Sequence, residues 1–196
     1  MVRIRDLPEI RNLLGLELLS AGKSDEGVDA LTRFMRERPS DPNVPDARAA
    51  LAAALLERKD FARARDEYAE LVEVRPNDAD ALSNLGIALA SLGRNDEATH
   101  AFERAVDVDP RNALSQRNLA LHLLQQNNFD GAVLHAREAV QLTPNDPPAH
   151  NLLGLALIGQ QKIDEAIDEF RASLALQPAN NDAAGYLQRT LKATGR

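Results

Sequence analysis

Residues 79–112 read ADALSNLGIALASLGRNDEATHAFERAVDVDPRN, and this stretch decides the fold. Leu85 and Gly86 stand four and three residues before Leu89, the spacing that places them on one face of a first helix. Ala98, Phe102 and Ala105 repeat that spacing and carry the face of a second helix. Between the two runs lies a polar break, Gly93-Arg94-Asn95-Asp96. Gly86 and Ala98 must be small if the two helices are to cross closely. Pro110 then ends the second helix, because the residue before a proline is disfavoured in helical backbone. Asn112, two residues on, is placed to cap whatever helix follows.

The same pattern recurs outward in both directions. Pro76, Pro110, Pro144 and Pro178 are spaced by 34 residues, and 24 residues before each lies Ala52, Gly86, Ala120 or Gly154. Leu51, Leu85, Leu119 and Leu153 precede those small residues, and Leu55, Leu89, Leu123 and Leu157 follow three later. Ala64, Ala98, Ala132 and Ala166 form a further column, with Tyr68, Phe102, Ala136 and Phe170 four residues on. Asp78, Asn112, Asp146 and Asn180 take the N-cap position of each following unit.

A 34-residue unit reading L-x-x-L-G-x-x-L, then A-x-x-x-F, then P resembles the tetratricopeptide repeat. In residues 79–112, Leu82, Leu85, Gly86, Leu89, Ala98, Phe102, Ala105 and Pro110 all fall on its signature positions, with leucine in place of the usual first-helix aromatics. The resemblance implies an all-α fold: a right-handed α-solenoid of stacked helix-turn-helix units. The units are 45–78, 79–112, 113–146 and 147–180. Residues 181–196 resemble another first helix, with Leu187 and Leu191 in column but Gln188 at the close-contact position. No second helix follows, so this segment reads as a C-terminal capping helix.

A worn copy precedes the four. Leu14, Gly15, Leu18 and Pro39 keep the spacing, while Gly27 and Leu31 depart from it. The register through Pro39 is preferred to one through Pro42, which would misalign Gly15 and the leucines. Residues 1–44 are therefore a degenerate unit with a proline-rich link, and Pro39, Pro42 and Pro45 predict a stiff, extended connection. The abrupt start motivates reading the chain as a fragment of something longer.

Composition narrows the function. Alanine (32) and leucine (30) make up almost a third of the 196 residues, and aromatics only 4%. The absence of cysteine excludes disulfides, thiolate nucleophiles and Cys-ligated zinc. A net charge of −7 argues against nucleic-acid binding. The longest apolar run, Leu51–Leu56, cannot cross a bilayer, and MVRIRDLPEI has no apolar signal-peptide core, so a cytoplasmic protein is expected, periplasmic or anchored if the chain is a fragment.

No catalytic pattern is present. His100, His122, His135 and His150 do not pair at helical spacing, and no HExxH, GxSxG or P-loop run occurs. No enzyme activity, cofactor or metal is expected. The acidic pairs Asp96-Glu97 and Asp164-Glu165 open second helices, where carboxylates complement the helix dipole.

The resemblance implies a concave face lined by the fifth, ninth and twelfth positions of each first helix. The ninth holds Leu16, Ala53, Ile87, Leu121 and Leu155; the twelfth holds Leu19, Leu56, Ala90, Leu124 and Ile158. The fifth holds Asn12, Ala49, Ser83, Arg117 and Asn151. First helices are thus apolar on two faces, and the second has no evident internal partner. Either it lines an open groove or stacking of neighbouring first helices buries it; the twelfth position is the one expected to be partly buried.

The family's carboxylate clamp for heat-shock chaperones needs Lys at the fifth position and Asn at the ninth; neither is present, so that clamp is not expected. Asn84 and Asn118, at the sixth position, resemble the asparagine ladder of glycosyltransferase-associated repeats. Arg117 and Arg189 are the strong cations of the inner columns. The leading reading is a non-catalytic scaffold that binds a protein or peptide partner, or a second copy of itself. The alternative is an accessory, substrate-positioning region of a larger enzyme or membrane-anchored protein. The candidate contact residues are Asn12, Leu16, Ala53, Ser83, Asn84, Ile87, Arg117, Asn118, Leu121, Asn151, Leu155 and Arg189.

Overall fold

The 34-residue period becomes a run of helical hairpins. The computed structural model describes residues 8–195; the opening seven residues, on which the reading of the chain's start rests, and Arg196 lie outside the described residues. Eleven α-helices and no strands occur among the described residues. The pairs are α1 (Pro8–Ser20) with α2 (Ser24–Glu37), α3 (Val44–Glu57) with α4 (Phe61–Val74), and α5 (Ala79–Ser91) with α6 (Asn95–Val108). They continue as α7 (Ala113–Gln125) with α8 (Phe129–Leu142) and α9 (Pro147–Gly159) with α10 (Ile163–Leu176), and α11 (Asn181–Ala193) stands last. The fold is all-α, of the helix-turn-helix solenoid class. None of the helices is long and apolar enough to cross a membrane.

One device closes every first helix. Gly22, Lys59, Gly93, Asn127 and Gln161 all have positive φ, between 59° and 75°, and all occupy the fifteenth position of their units. Each donates its N–H to the carbonyl three residues back, and the next residue donates five back, as in Lys23 to Leu18, Asp60 to Leu55 and Lys162 to Leu157. This Schellman pairing satisfies carbonyls that the helix end would otherwise leave open. Glycine adopts the left-handed conformation at no steric cost, whereas Lys59 and Gln161 carry a Cβ into it.

The N-cap column is borne out at three of four places. Asp78 accepts from Ala81 N–H at 2.9 Å, Asn112 from Ser115 N–H at 3.0 Å and Asn180 from Ala183 N–H at 3.1 Å. Asp146 makes no side-chain cap bond. Pro147 and Pro148 remove two of the first-turn donors there, and the Asp146 carboxylate turns instead to Arg117, at 2.7 Å.

The chain divides into two compact units, Met1–Ala101 and Phe102–Arg196, with the division inside α6. In the first, α1 packs on α2 and α3 on α4, α2 and α4 bridge to the next first helices α3 and α5, and α1–α3 and α3–α5 also touch. The expected extended link at residues 39–45 is instead a folded turn. Asp41 N–H donates to Arg38 O and Val44 N–H to Asp41 O, both at 3.0 Å, and the Asp41 carboxylate accepts from Asn43 N–H. The backbone amide of Asn43 holds the Asp41 carboxyl below its ordinary value. The polar side chains of Asp41 and Asn43 fold the inserted residues back on themselves, which proline content alone does not reveal.

In the second unit, α7 packs on α8 and α9 on α10, with α8 against α9, α10 against α11 and α7 against α9. The columns explain these contacts. Ala64, Ala98, Ala132 and Ala166 are fully buried, as are Ala52 and Ala120. Where the small residue is glycine, the partner is large: a Cβ on Gly15 would lie 2.6 Å from the Leu31 side chain, and one on Gly154 would lie 2.5 Å from the Phe170 ring. Leu31 and Phe170 are themselves completely buried. Each buried leucine or phenylalanine contributes about 1.5–3 kcal/mol, and the glycine sets how closely the helices approach.

A polar rung crosses the hairpins from the fourth position of the first helix to the twenty-third of the unit. Arg48 meets Glu67 at 2.7 Å, Gln116 accepts from His135 Nδ1 at 2.8 Å, and His150 Nδ1 meets Glu169 at 2.7 Å. Gln116 Nε2 also donates to Pro110 O, and His150 Nε2 contacts Pro144 O in the equivalent place. Two of the four histidines, His135 and His150, are thereby used in structure. Burial lowers the His135 pKa from its ordinary value and raises that of Glu67.

Candidate functional site

Side chains on the first helices of the second unit converge on one concavity. Arg117, Asn118 and Leu121 come from α7, and Asn151, Leu152 and Leu155 from α9. Tyr186 and Asp182 come from α11, with Gln177 and Asn180 at the turn before it; together they line a groove of about 760 Å³. Five of the candidate residues therefore meet in one place: Arg117, Asn118, Leu121, Asn151 and Leu155.

The ninth position is exposed at two of its five places. Leu121 is 45% exposed, Ala53 is exposed, and Leu16, Ile87 and Leu155 are half-buried. Every twelfth-position residue, from Leu19 and Leu56 to Ala90, Leu124 and Ile158, is half-buried. The two columns thus differ at Ala53 and Leu121, which are exposed, while the other three ninth-position residues are covered to the same degree as the twelfth column.

The polar groups of the groove differ in what they have left to offer. Arg117 Nη1 donates to Asp146 Oδ2 at 2.7 Å, so its carboxylate partner is internal. The Asn151 side chain makes no hydrogen bond with any described residue, and its Oδ1 is buried. A buried amide oxygen with no donor is costly. His122, buried behind the groove on α7, lies against the Phe102 ring with centroids 5.3 Å apart.

In the first unit the fifth column is mostly covered: Asn12 and Ser83 are buried, at 8% and 3% exposure, and Ala49 is half-buried. Asn84 is half-buried, and its side chain hydrogen-bonds the Tyr68 hydroxyl. The Asn84 rung of the asparagine pair is therefore engaged within the fold. Burial pushes the Tyr68 pKa up to about 12, so the phenol stays protonated and the contact persists across physiological pH.

Arg189 does not join the groove floor. It lies over the Tyr186 ring at 5.1 Å and lines a second, smaller cleft beside the first. Sequence reasoning reads α11 as a cap and misses its contribution of Tyr186, Asp182 and the preceding turn to the groove wall. The available signal is an aromatic at the sixth position of the last first helix, the column already occupied by Asn84 and Asn118. Among the described residues, no three His, Asp or Glu side chains group as metal ligands.

Family models described as tetratricopeptide repeat match residues 12–81, 50–99 and 83–147, and a second such model matches 147–180. No curated protein matches the sequence. Among solved structures, a tetratricopeptide repeat protein from Parabacteroides merdae is similar with a TM-score of 0.83 at 14% identity, over 96% of this chain and 73% of that one. MamA from Desulfovibrio magneticus RS-1 is similar with a TM-score of 0.78 at 20% identity, over 89% of this chain and 97% of the other. YrrB, described as having an unusual peptide-binding site, is similar with a TM-score of 0.73 at 14% identity, over 89% of each chain.

Proposed function

Because this chain belongs to the tetratricopeptide repeat family, we propose that it is a non-catalytic interaction scaffold whose α7–α9–α11 groove binds a peptide or helix of a protein partner. The observation that carries the reading is the pairing of exposed hydrocarbon with an unsatisfied amide. Leu121 and Leu155 offer apolar contact, and Asn151 offers an unbonded side-chain amide, all in one groove. Burying two leucines against a partner supplies affinity, while Asn151 sets the register of a bound backbone. The peptide-binding site attributed to YrrB, which has a similar fold, supports the same class of ligand.

The test is Leu121→Glu together with Leu155→Glu. Both positions are at least partly exposed, so helicity by circular dichroism should survive. Capture of the partner in a pull-down, mapped by crosslinking to α7 and α9, should fall at least tenfold. Unchanged capture would sink the groove reading. If the variant instead loses a concentration-dependent dimer in sedimentation, the partner is a second copy of the chain.

A further inference from the structure

The second cleft offers a more specific chemistry. It holds about 330 Å³ between α9, α10 and α11, lined by Leu155, Ile158, Ile163, Phe170, Tyr186, Arg189, Thr190 and the last residues of α11. Its walls are almost wholly hydrocarbon. Thr190 Oγ1 donates to Tyr186 O at 2.8 Å, and Thr194 Oγ1 donates to Thr190 O at 3.1 Å. Both hydroxyls are spent on the helix's own carbonyls, so α11 contributes apolar surface to the cleft. Phe170 and Tyr186 lie with ring centroids 5.5 Å apart at its inner side. The space suits one bulky aliphatic or aromatic side chain.

Charge at the rim says what should accompany that side chain. Arg189 makes no salt bridge with any described residue and lies back over Tyr186, with Nη1 3.8 Å from where a Cβ on Gly185 would stand. No acidic side chain lines the cleft among the described residues; Asp182 sits in the first turn of α11, where it complements the helix N-terminus. Residues 181–196 carry Arg189, Lys192 and Arg196 against Asp182, a net +2 in a chain of −7. A guanidinium stacked on an aromatic face is held in place and keeps its donors for a carboxylate.

We propose that the α9–α10–α11 cleft is an anchor pocket for a bulky apolar side chain of a partner peptide, with an adjacent Asp or Glu paired to Arg189. The peptide runs on into the α7–α9–α11 groove across Leu155 and Tyr186, which line both spaces. This assignment rests on the groove reading and adds to it the composition of the ligand.

The test is selection of a randomised nonapeptide phage library on the full chain, with the enriched peptides measured by fluorescence anisotropy. The expected consensus is one bulky apolar residue beside an acidic one. Arg189→Glu should weaken such peptides at least tenfold and turn the selected neighbour from acidic to basic. Ala193→Phe, which fills the cleft from an exposed position, should weaken them at least tenfold with its charge preference unchanged. Arg189 is exposed, so its variant is expected to fold even if Ala193→Phe does not, which a circular dichroism melt verifies.

No enrichment, a consensus without an acidic residue, or affinity indifferent to Arg189→Glu would overturn the proposal. Loss of binding with Leu121→Glu but not with Arg189→Glu or Ala193→Phe would leave the groove standing and remove the cleft. The reverse pattern would remove the groove and keep the cleft. A dimer in sedimentation that Ala193→Phe abolishes would make the occupant a second copy and refute the peptide assignment.

Discussion

Substituting Gly154 by alanine tests whether glycine in the small-residue column reflects packing. In an unconstrained helix interior the change stabilises by about 1 kcal/mol, because glycine has the greater backbone entropy to lose. Here the new Cβ would lie 2.5, 2.8 and 2.9 Å from three carbons of the Phe170 ring. That is roughly 1 Å inside normal carbon–carbon contact. Phe170 is completely buried, so its ring cannot swing into solvent, and the α9–α10 hairpin must open instead. Overpacking of this kind costs about 1–3 kcal/mol. With overpacking at the upper end of that range, the net expectation is destabilisation by roughly 1–2 kcal/mol, read as a lower urea midpoint. Gly185→Ala is the internal control: its Cβ would meet nothing closer than Arg189 Nη1 at 3.8 Å, so it should stabilise by up to about 1 kcal/mol. Phe170→Leu combined with Gly154→Ala should recover part of the loss, with a coupling energy of roughly 1–2 kcal/mol in the double-mutant cycle. If Gly154→Ala stabilises as much as Gly185→Ala, or is additive with Phe170→Leu, the close-approach argument is wrong.

Other expectations follow from the same geometry. Gln161→Gly, at φ 63°, should stabilise the α9–α10 turn by up to about 1 kcal/mol, whereas Gly93→Ala, at φ 75°, should destabilise by a similar amount; thermal melts of the two decide. Asn180→Ala should cost about 1 kcal/mol through loss of its cap bond. Asp146→Ala should cost less, about 0.5 kcal/mol, and should lose its effect in high salt because that carboxylate pairs with Arg117 rather than capping α9. Burial depresses the native His135 pKa, so as pH falls through about 6.5 the unfolded chain takes up a proton that the native chain resists. Stability should therefore drop on that side and be level above it. His135→Gln, compared with wild type by urea titration at pH 5.5 and 7.5, should flatten this component; an unchanged difference would refute it.

Much of the fold was legible because each helix answers to short-range rules. The 34-residue spacing, the close-contact column at Ala64, Ala98, Ala132 and Ala166, and caps such as Asn112 follow from residues three or four apart in sequence. The turn at residues 39–45 was not, since proline content predicts stiffness but Asp41 and Asn43 close hydrogen bonds that fold it. The fate of Asp146 was hidden for a similar reason: its partner Arg117 lies 29 residues away.

For the candidate site, sequence by itself determined which side chains share the inner columns and that Leu121 and Leu155 are apolar there. Only the tertiary structure decided which of those columns are open. Packing half-buries the twelfth position, leaves Ala53 and Leu121 of the ninth exposed, buries Asn12 and Ser83, and engages Asn84 with Tyr68. It also placed residues of α11 in the lining of two concavities. The physical reason is range: helical periodicity acts within one turn, but exposure depends on how closely neighbouring hairpins approach, which is set by contacts such as Gly154 on Phe170.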